Sequence, residues 1–215
     1  MLLLGLIQNP FIFLAYIVAL IIGITVHEYA HAWMAHRCGD DTAKFEGRLT
    51  LNPLAHLDPL GTVMLFVVGF GWGKPVPINP NNMNKKSDEL KVAFAGIVTN
   101  LILAFILAIP IRIALMQGIL IESSAVLSFL NIIVDLNIIL AVFNILPIPP
   151  LDGSHLVEYF LNRESKYAYQ TVGPFILIGV IIAESVTHIS IIHPIMEPII
   201  RLLSLLIKGS YNVIL

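Results

Sequence analysis

His27-Glu28-Tyr29-Ala30-His31 sets two imidazoles four residues apart, about one helical turn, so both project from one face. Neutral imidazole nitrogens bind Zn²⁺ at about 2.0 Å, and two such ligands leave positions for a third protein ligand and a water. Glu28 lies between them with a carboxylate able to take a proton from that water, so the stretch offers hydrolysis as well as binding. A second stretch runs Asn144-Ile145-Leu146-Pro147-Ile148-Pro149-Pro150-Leu151-Asp152-Gly153. Its three prolines in four residues stop a helix and force an extended exit, which fixes where Asp152 points. Asp152 is also expected to cap a short amphipathic helix beginning near Gly153.

The elements that carry these residues belong to a membrane. The chain is 57% hydrophobic and only 12% charged, with a mean hydropathy of +0.88, against about 25% charged for soluble domains. Its 215 residues hold four to six membrane segments of about 20 residues each. The expected fold is an all-α polytopic membrane protein with a small membrane-associated β element, one domain over residues 1–215. Net charge of −2 gives no basic patch for nucleic acid. Cys38 is the only cysteine, which excludes an intrachain disulfide and a cysteine-based zinc site. Residues 1 to 26 hold no Asp, Glu, Lys or Arg and lack the basic start of a signal peptide, so this segment is expected to be retained.

Long apolar runs predict spans at 11–33, 92–111, 126–146 and 167–183, the second and fourth without a charge. His27 and His31 then lie about 8 to 14 Å beyond the centre of the first span, near one membrane face. Arg48 to Leu51 alternates like a half-buried strand, 60–70 reads as a re-entrant or interfacial hairpin, and the proline-rich 71–80 must run extended. Asn100 falls in the middle of the second span, where a buried amide needs a partner: an interhelical hydrogen bond or a substrate contact. Asp135 sits in mid-span, about 200° around the helix from Asn137, which shares a face with Asn144. Asp135 is therefore expected on a structural or water-facing side and outside the active site. Glu197, Arg201, Ser204 and Lys208 form a polar stripe on a last helix that lies at the interface or packs as a span. His36, His56, His155, His188 and His193 are assigned to loops and helix ends.

Basic residues orient the spans. Segments 34–58, 71–91 and 153–170 carry three, four and two Lys or Arg, so these loops are expected to be cytoplasmic. Spans one and three then deliver His27, His31 and Asp152 to the same leaflet. A carboxylate with two histidines and one open position is a catalytic zinc set.

With both stretches in place, the chain resembles the site-2 protease family of intramembrane zinc metalloproteases, in its small branch lacking PDZ-like and nucleotide-sensing modules. The likeness extends over nearly residues 11 to 160. It implies one Zn²⁺ held by His27, His31 and Asp152, Glu28 activating water, and Asn144 positioning substrate or stabilising the oxyanion, with Asn100 a further candidate for substrate binding. It also implies a membrane-embedded sheet that accepts substrate as an added strand, matching 48–51 and 71–78. The function expected is zinc-dependent endopeptidase cleavage in or near transmembrane segments of membrane proteins. The partners are then transmembrane protein or peptide substrates and the lipid bilayer, no nucleic acid, and an oligomer is possible. The location is the cell membrane, multi-pass, with the active site near the cytoplasmic face. The alternative is a divalent-metal transporter or metal-binding membrane protein using the same three ligands in transit, which would need weak successive sites along a path. A catalytically silent scaffold is disfavoured by the presence of Glu28.

Overall fold

Asn9 starts the first helix, its side chain accepting from the Ile12 N–H at 3.3 Å, and Pro10 supplies the preset φ of a first helical position. This helix, α1 (Pro10–Arg37), spans about 42 Å at 1.5 Å per residue, more than the hydrocarbon thickness. The computed structural model describes residues 9–68, 71–187 and 189–210. After α1 come α2 (Thr42–Phe45), α3 (Pro59–Val68), α4 (Asp88–Met116), α5 (Ala125–Asn144), α6 (Ser154–Phe160), α7 (Arg163–Thr187) and α8 (His193–Lys208). Four of these, α1, α4, α5 and α7, are long and apolar enough to cross a membrane; α1, α4 and α7 each contain an expected span, and α5 covers the expected 126–146 as far as Asn144.

The bundle core is α1, α4 and α5, brought together by stripes at every fourth residue. On α1 the stripe is Ala15, Ala19 and Gly23 followed by His27 and His31, all buried. On α4 it is Val92, Gly96, Asn100, Ala104 and Ala108, and on α5 Ile133, Asn137 and Ala141. Small residues let helix backbones approach where lipid offers no hydrophobic drive. Contacts between residues 27 and 100 and between 31 and 92 make α1 and α4 antiparallel. Proximity of Gly23 to Asn137 and of His27 to Asp152 makes α1 and α5 parallel. Three helix ends therefore meet where the polar stripe residues lie.

Several expectations change on contact with the fold. No strand occurs among the described residues; the small β element is reduced to one isolated antiparallel bridge, Leu57 to Gly73. Arg48 to Leu51 is irregular because Arg48 is turned inward, its guanidinium donating to the carbonyls of Lys74 at 2.5 Å and Pro75 at 3.2 Å. Thus 48–58 and 71–79 are joined by the Arg48 side chain and by a backbone bond, the His56 carbonyl accepting the Lys74 N–H at 2.8 Å. Asp40 ties the same region, accepting from Thr42, Asn79 and Asn82. Burial opposes its charge, and those hydrogen bonds prevail, holding its carboxyl below the usual carboxylate range. Residues 60–68 of the expected hairpin belong to the ten-residue helix α3, although the Leu57 to Gly73 bridge does return the chain to its start; residues 69–70 lie outside the described residues.

Asp135 is structural and buried: Lys208 Nζ lies 2.5 Å from its Oδ1, and Asn131 donates to its Oδ2 at 3.0 Å. The water-facing alternative is overturned. The C-terminal polar stripe splits accordingly, with Ser204 and Lys208 buried against the bundle and Arg201 exposed. Asp152 does not cap α6, because its side chain turns to α1 and Gly153 takes the cap position without a side-chain bond. His36 pairs with Asp41, His56 bonds the Thr50 carbonyl at 2.7 Å, His155 lies 3.5 Å from Glu158, and His193 opens α8. His188 lies outside the described residues.

Candidate active site

The one-turn spacing on α1 places the two imidazoles edge to face, ring centroids 4.6 Å apart, with their Nε2 atoms 3.0 Å apart. Asp152 arrives from the proline-rich exit of α5, Oδ2 at 3.1 Å from His27 Nε2 and Oδ1 at 3.4 Å from His31 Nε2. One ligand atom from each of the three residues lies within 4.8 Å of the others. The second nitrogen of each ring is already engaged. His31 Nδ1 faces the Val92 carbonyl at 2.7 Å, and His27 Nδ1 faces Asn100 Oδ1 at 2.9 Å. Both partners accept, so both Nδ1 atoms carry protons and both Nε2 atoms turn lone pairs toward Asp152.

Two lone pairs and a carboxylate at this spacing repel one another unless a cation stands among them, a proton in the metal-free protein or a metal ion. Burial works against charge on Asp152, and the flanking imidazoles outweigh it, keeping the carboxyl below its ordinary range. The donor set, two nitrogens and one carboxylate oxygen, fits a divalent metal of the zinc kind.

Room for this cluster comes from Gly96 on α4, which spacing and chemistry in the sequence did not mark. A Cβ there would lie 2.6 Å from both His27 Cε1 and His31 Nε2. Gly73 is the other close approach, its added Cβ meeting Ile24 at 2.9 Å and the His56 carbonyl at 3.1 Å, with Glu28 Oε1 beyond at 3.7 Å. Glu28 is half-buried beside the histidines, and its Oε2 accepts the Val76 N–H at 3.1 Å. The extended 71–78 segment thus runs past Glu28, whose carboxylate stands outside the His27, His31 and Asp152 cluster.

A cavity of about 560 Å³ opens here, lined by His27, Glu28, His31, Asn144 and Asp152 together with apolar side chains of the 71–78 segment and of α7. Asn144 is on the wall, and its Nδ2 donates to the Leu140 carbonyl at 2.9 Å. Asn100 is elsewhere. It is fully buried behind His27, where its Nδ2 donates to Asn137 Oδ1 at 3.0 Å. The interhelical hydrogen bond is the arrangement found. Asn137, whose role the sequence did not disclose, completes the set; an amide in mid-span with its own helix neighbours four residues away was the available signal.

Peptidase family M50 matches the chain over residues 15–118 and again over 107–183. The protein YwhC of Bacillus subtilis is 45% identical over 146 residues, which cover 66% of this chain and 67% of YwhC. Rip2 of Mycobacterium tuberculosis strain H37Rv is 31% identical over 179 residues, 80% of this chain and 66% of Rip2. MJ0611 of Methanocaldococcus jannaschii is 29% identical over 153 residues, 69% of this chain and 71% of that protein. All three carry zinc metalloprotease in their names, and the chain spans about two thirds of the length of each. No solved structure matches it. With this match running through both chemical stretches and the helices between them, the chain belongs to Peptidase family M50, the site-2 protease family of metalloendopeptidases.

Proposed function

We propose that this multi-pass membrane protein is a single-domain, zinc-dependent intramembrane endopeptidase that hydrolyses peptide bonds in or near transmembrane segments of other proteins. The observation that carries the reading is the convergence of His27, His31 and Asp152 beside Glu28, on the wall of an apolar cavity formed among helices long enough to cross a membrane. His27, His31 and Asp152 would hold the ion. Bound Zn²⁺ supplies Lewis acidity, polarising a carbonyl and lowering the pKa of water.

The rest falls to side chains of this chain. Glu28 takes the proton of the attacking water and returns it to the leaving amine. Asn144 supports the developing oxyanion, which requires its amide to swing away from the Leu140 carbonyl. The extended 71–78 segment lines the cavity and offers backbone groups to a substrate unwound into a strand, with specificity from side-chain pockets. The basic loops 34–58, 71–91 and 153–170 all adjoin the ends of α1, α4 and α5 that carry the site, which supports a cytoplasmic-facing centre.

Glu28→Gln keeps size and hydrogen bonding and removes the base. It is expected to retain zinc by elemental analysis while cleaving a detergent-solubilised membrane-spanning peptide at least ~10² to 10⁴ times more slowly. Cleavage at the wild-type rate by this variant, or zinc transport across liposomes without any cleavage by the wild type, sinks the protease reading.

A further inference from the structure

Two buried amides stand between His27 and the backbone of α5, and their polarity is set at the far end. The Ile133 carbonyl only accepts, so the Asn137 Nδ2 at 2.8 Å must be the end facing it, leaving Asn137 Oδ1 toward Asn100. Asn100 must then present its Nδ2 to that oxygen at 3.0 Å, and the Gly23 carbonyl, at 3.4 Å from the same Nδ2, demands the same orientation. Asn100 Oδ1 is left for His27 Nδ1 at 2.9 Å. An oxygen there keeps the proton on Nδ1 and the lone pair on Nε2, the nitrogen that faces His31 and Asp152.

We propose that Asn137 is a positioning residue for metal binding, which acts through Asn100 to hold His27 in its metal-ligating tautomer; the proposal rests on the zinc centre argued above. Were Asn100 to turn over, its NH₂ would face Nδ1, the ring proton would move to Nε2, and the ligand would be lost. No solvent corrects such an error, since both amides are fully buried. An amide facing the wrong way there leaves donors against donors. His31 needs no relay, its Nδ1 meeting the Val92 carbonyl directly. Gly23 faces the same amides: a Cβ there would meet Asn137 Oδ1 at 3.4 Å, an ordinary contact, and the end of the Leu140 side chain at 2.7 Å.

The test is zinc affinity of the metal-stripped, full-length protein in detergent, read by competition with a chromophoric chelator, with thermal unfolding of the metal-free form followed in parallel. Asn137→Leu removes the acceptor that fixes Asn100 and is expected to weaken zinc binding about 10- to 100-fold, the range for losing a partner that orients a ligand. Asn100→Asp offers His27 an oxygen whichever way it turns, so the double variant Asn100→Asp/Asn137→Leu is expected to recover most of that loss. A merely structural defect would not be repaired by a second buried change. Wild-type affinity in Asn137→Leu, or no recovery in the double variant, overturns the relay. Should Asn137→Leu fail to fold, Asn137→Asp, which as a neutral acid keeps both an acceptor and a donor, is expected to bind zinc like wild type. Loss of zinc binding in folded Asn137→Asp also overturns the proposal. If the wild type binds no zinc, the metal centre itself fails and the relay fails with it.

Discussion

Gly96 shows how a residue without chemistry decides where chemistry happens. Two imidazole rings and a helix backbone share the space a single methyl would need, at 2.6 Å from each ring. Rings wedged between helices cannot step aside as the end of a flexible side chain would. Gly96→Ala is therefore expected to lower the zinc-to-protein ratio and cleavage together, while the helix itself gains up to about 1 kcal/mol from the better propensity of alanine. Elemental analysis beside circular dichroism checks this, and wild-type zinc content in a folded Gly96→Ala protein would remove the steric account. The cluster of His27, His31 and Asp152 that could hold a metal was legible in the sequence because histidine spacing and a proline-fixed aspartate are themselves chemical statements. Gly96 was not, because a glycine in an apolar run reads the same whether it faces lipid or two histidines. Asn100 was half legible: burial demanded a partner, but nothing local could name one 73 positions away.

At the scale of elements, the four long helices followed from their apolar runs, and their ends shifted outward by a few residues except at the exit of α5, which stops at Asn144, two residues short of the expected end, ahead of the prolines. The loops were harder. Arg48 and Asp40 satisfy backbone groups with side-chain bonds, which yields the ordered but strandless path that an alternating pattern suggested would be a sheet. The last helix was harder still, since its polar stripe gave no partner. α8 is held by Lys208 against Asp135 and Asn131 of α5, and Arg112 of α4 donates to the Leu206 carbonyl at 2.8 Å near its end. Removing one member of such a pair is worse than removing both. Asp135→Ala is expected to cost about 3–5 kcal/mol of stability by stripping Lys208 of its carboxylate, whereas Asp135→Leu with Lys208→Met is expected to stay near wild type. Denaturant unfolding in detergent measures both, and a single variant as stable as the double would remove the pair from the account of how α8 is docked.

For the whole molecule, the distribution of cations gives a direction. Lys74, Lys85, Lys86 and Lys91 lie at the end of the bundle that bears the site, while at the other end Lys208 is buried in its ion pair and Arg112 is engaged with α8. The exposed Lys86 is thus a marker for the side on which the centre opens. In a protein whose Cys38 has been replaced, Lys86→Cys is expected to be shielded from a membrane-impermeant thiol reagent in intact cells and to react once the cells are opened. Labelling from outside would reverse the orientation and leave the intramolecular geometry untouched. The exit of α5 carries one more consequence. Gly153 donates to the Asn144 carbonyl at 2.7 Å, and a Cβ on it would fall 2.1 Å from the Ile145 carbonyl oxygen, so the chain from 144 to 153 is a closed ring. Its residue count is then a property of the metal site. An insertion or deletion of one residue inside that ring would carry Asp152 off the two imidazoles, while the turn between α4 and α5, at the far end of the bundle, reaches no ligand and is free to drift in length among descendants of this sequence.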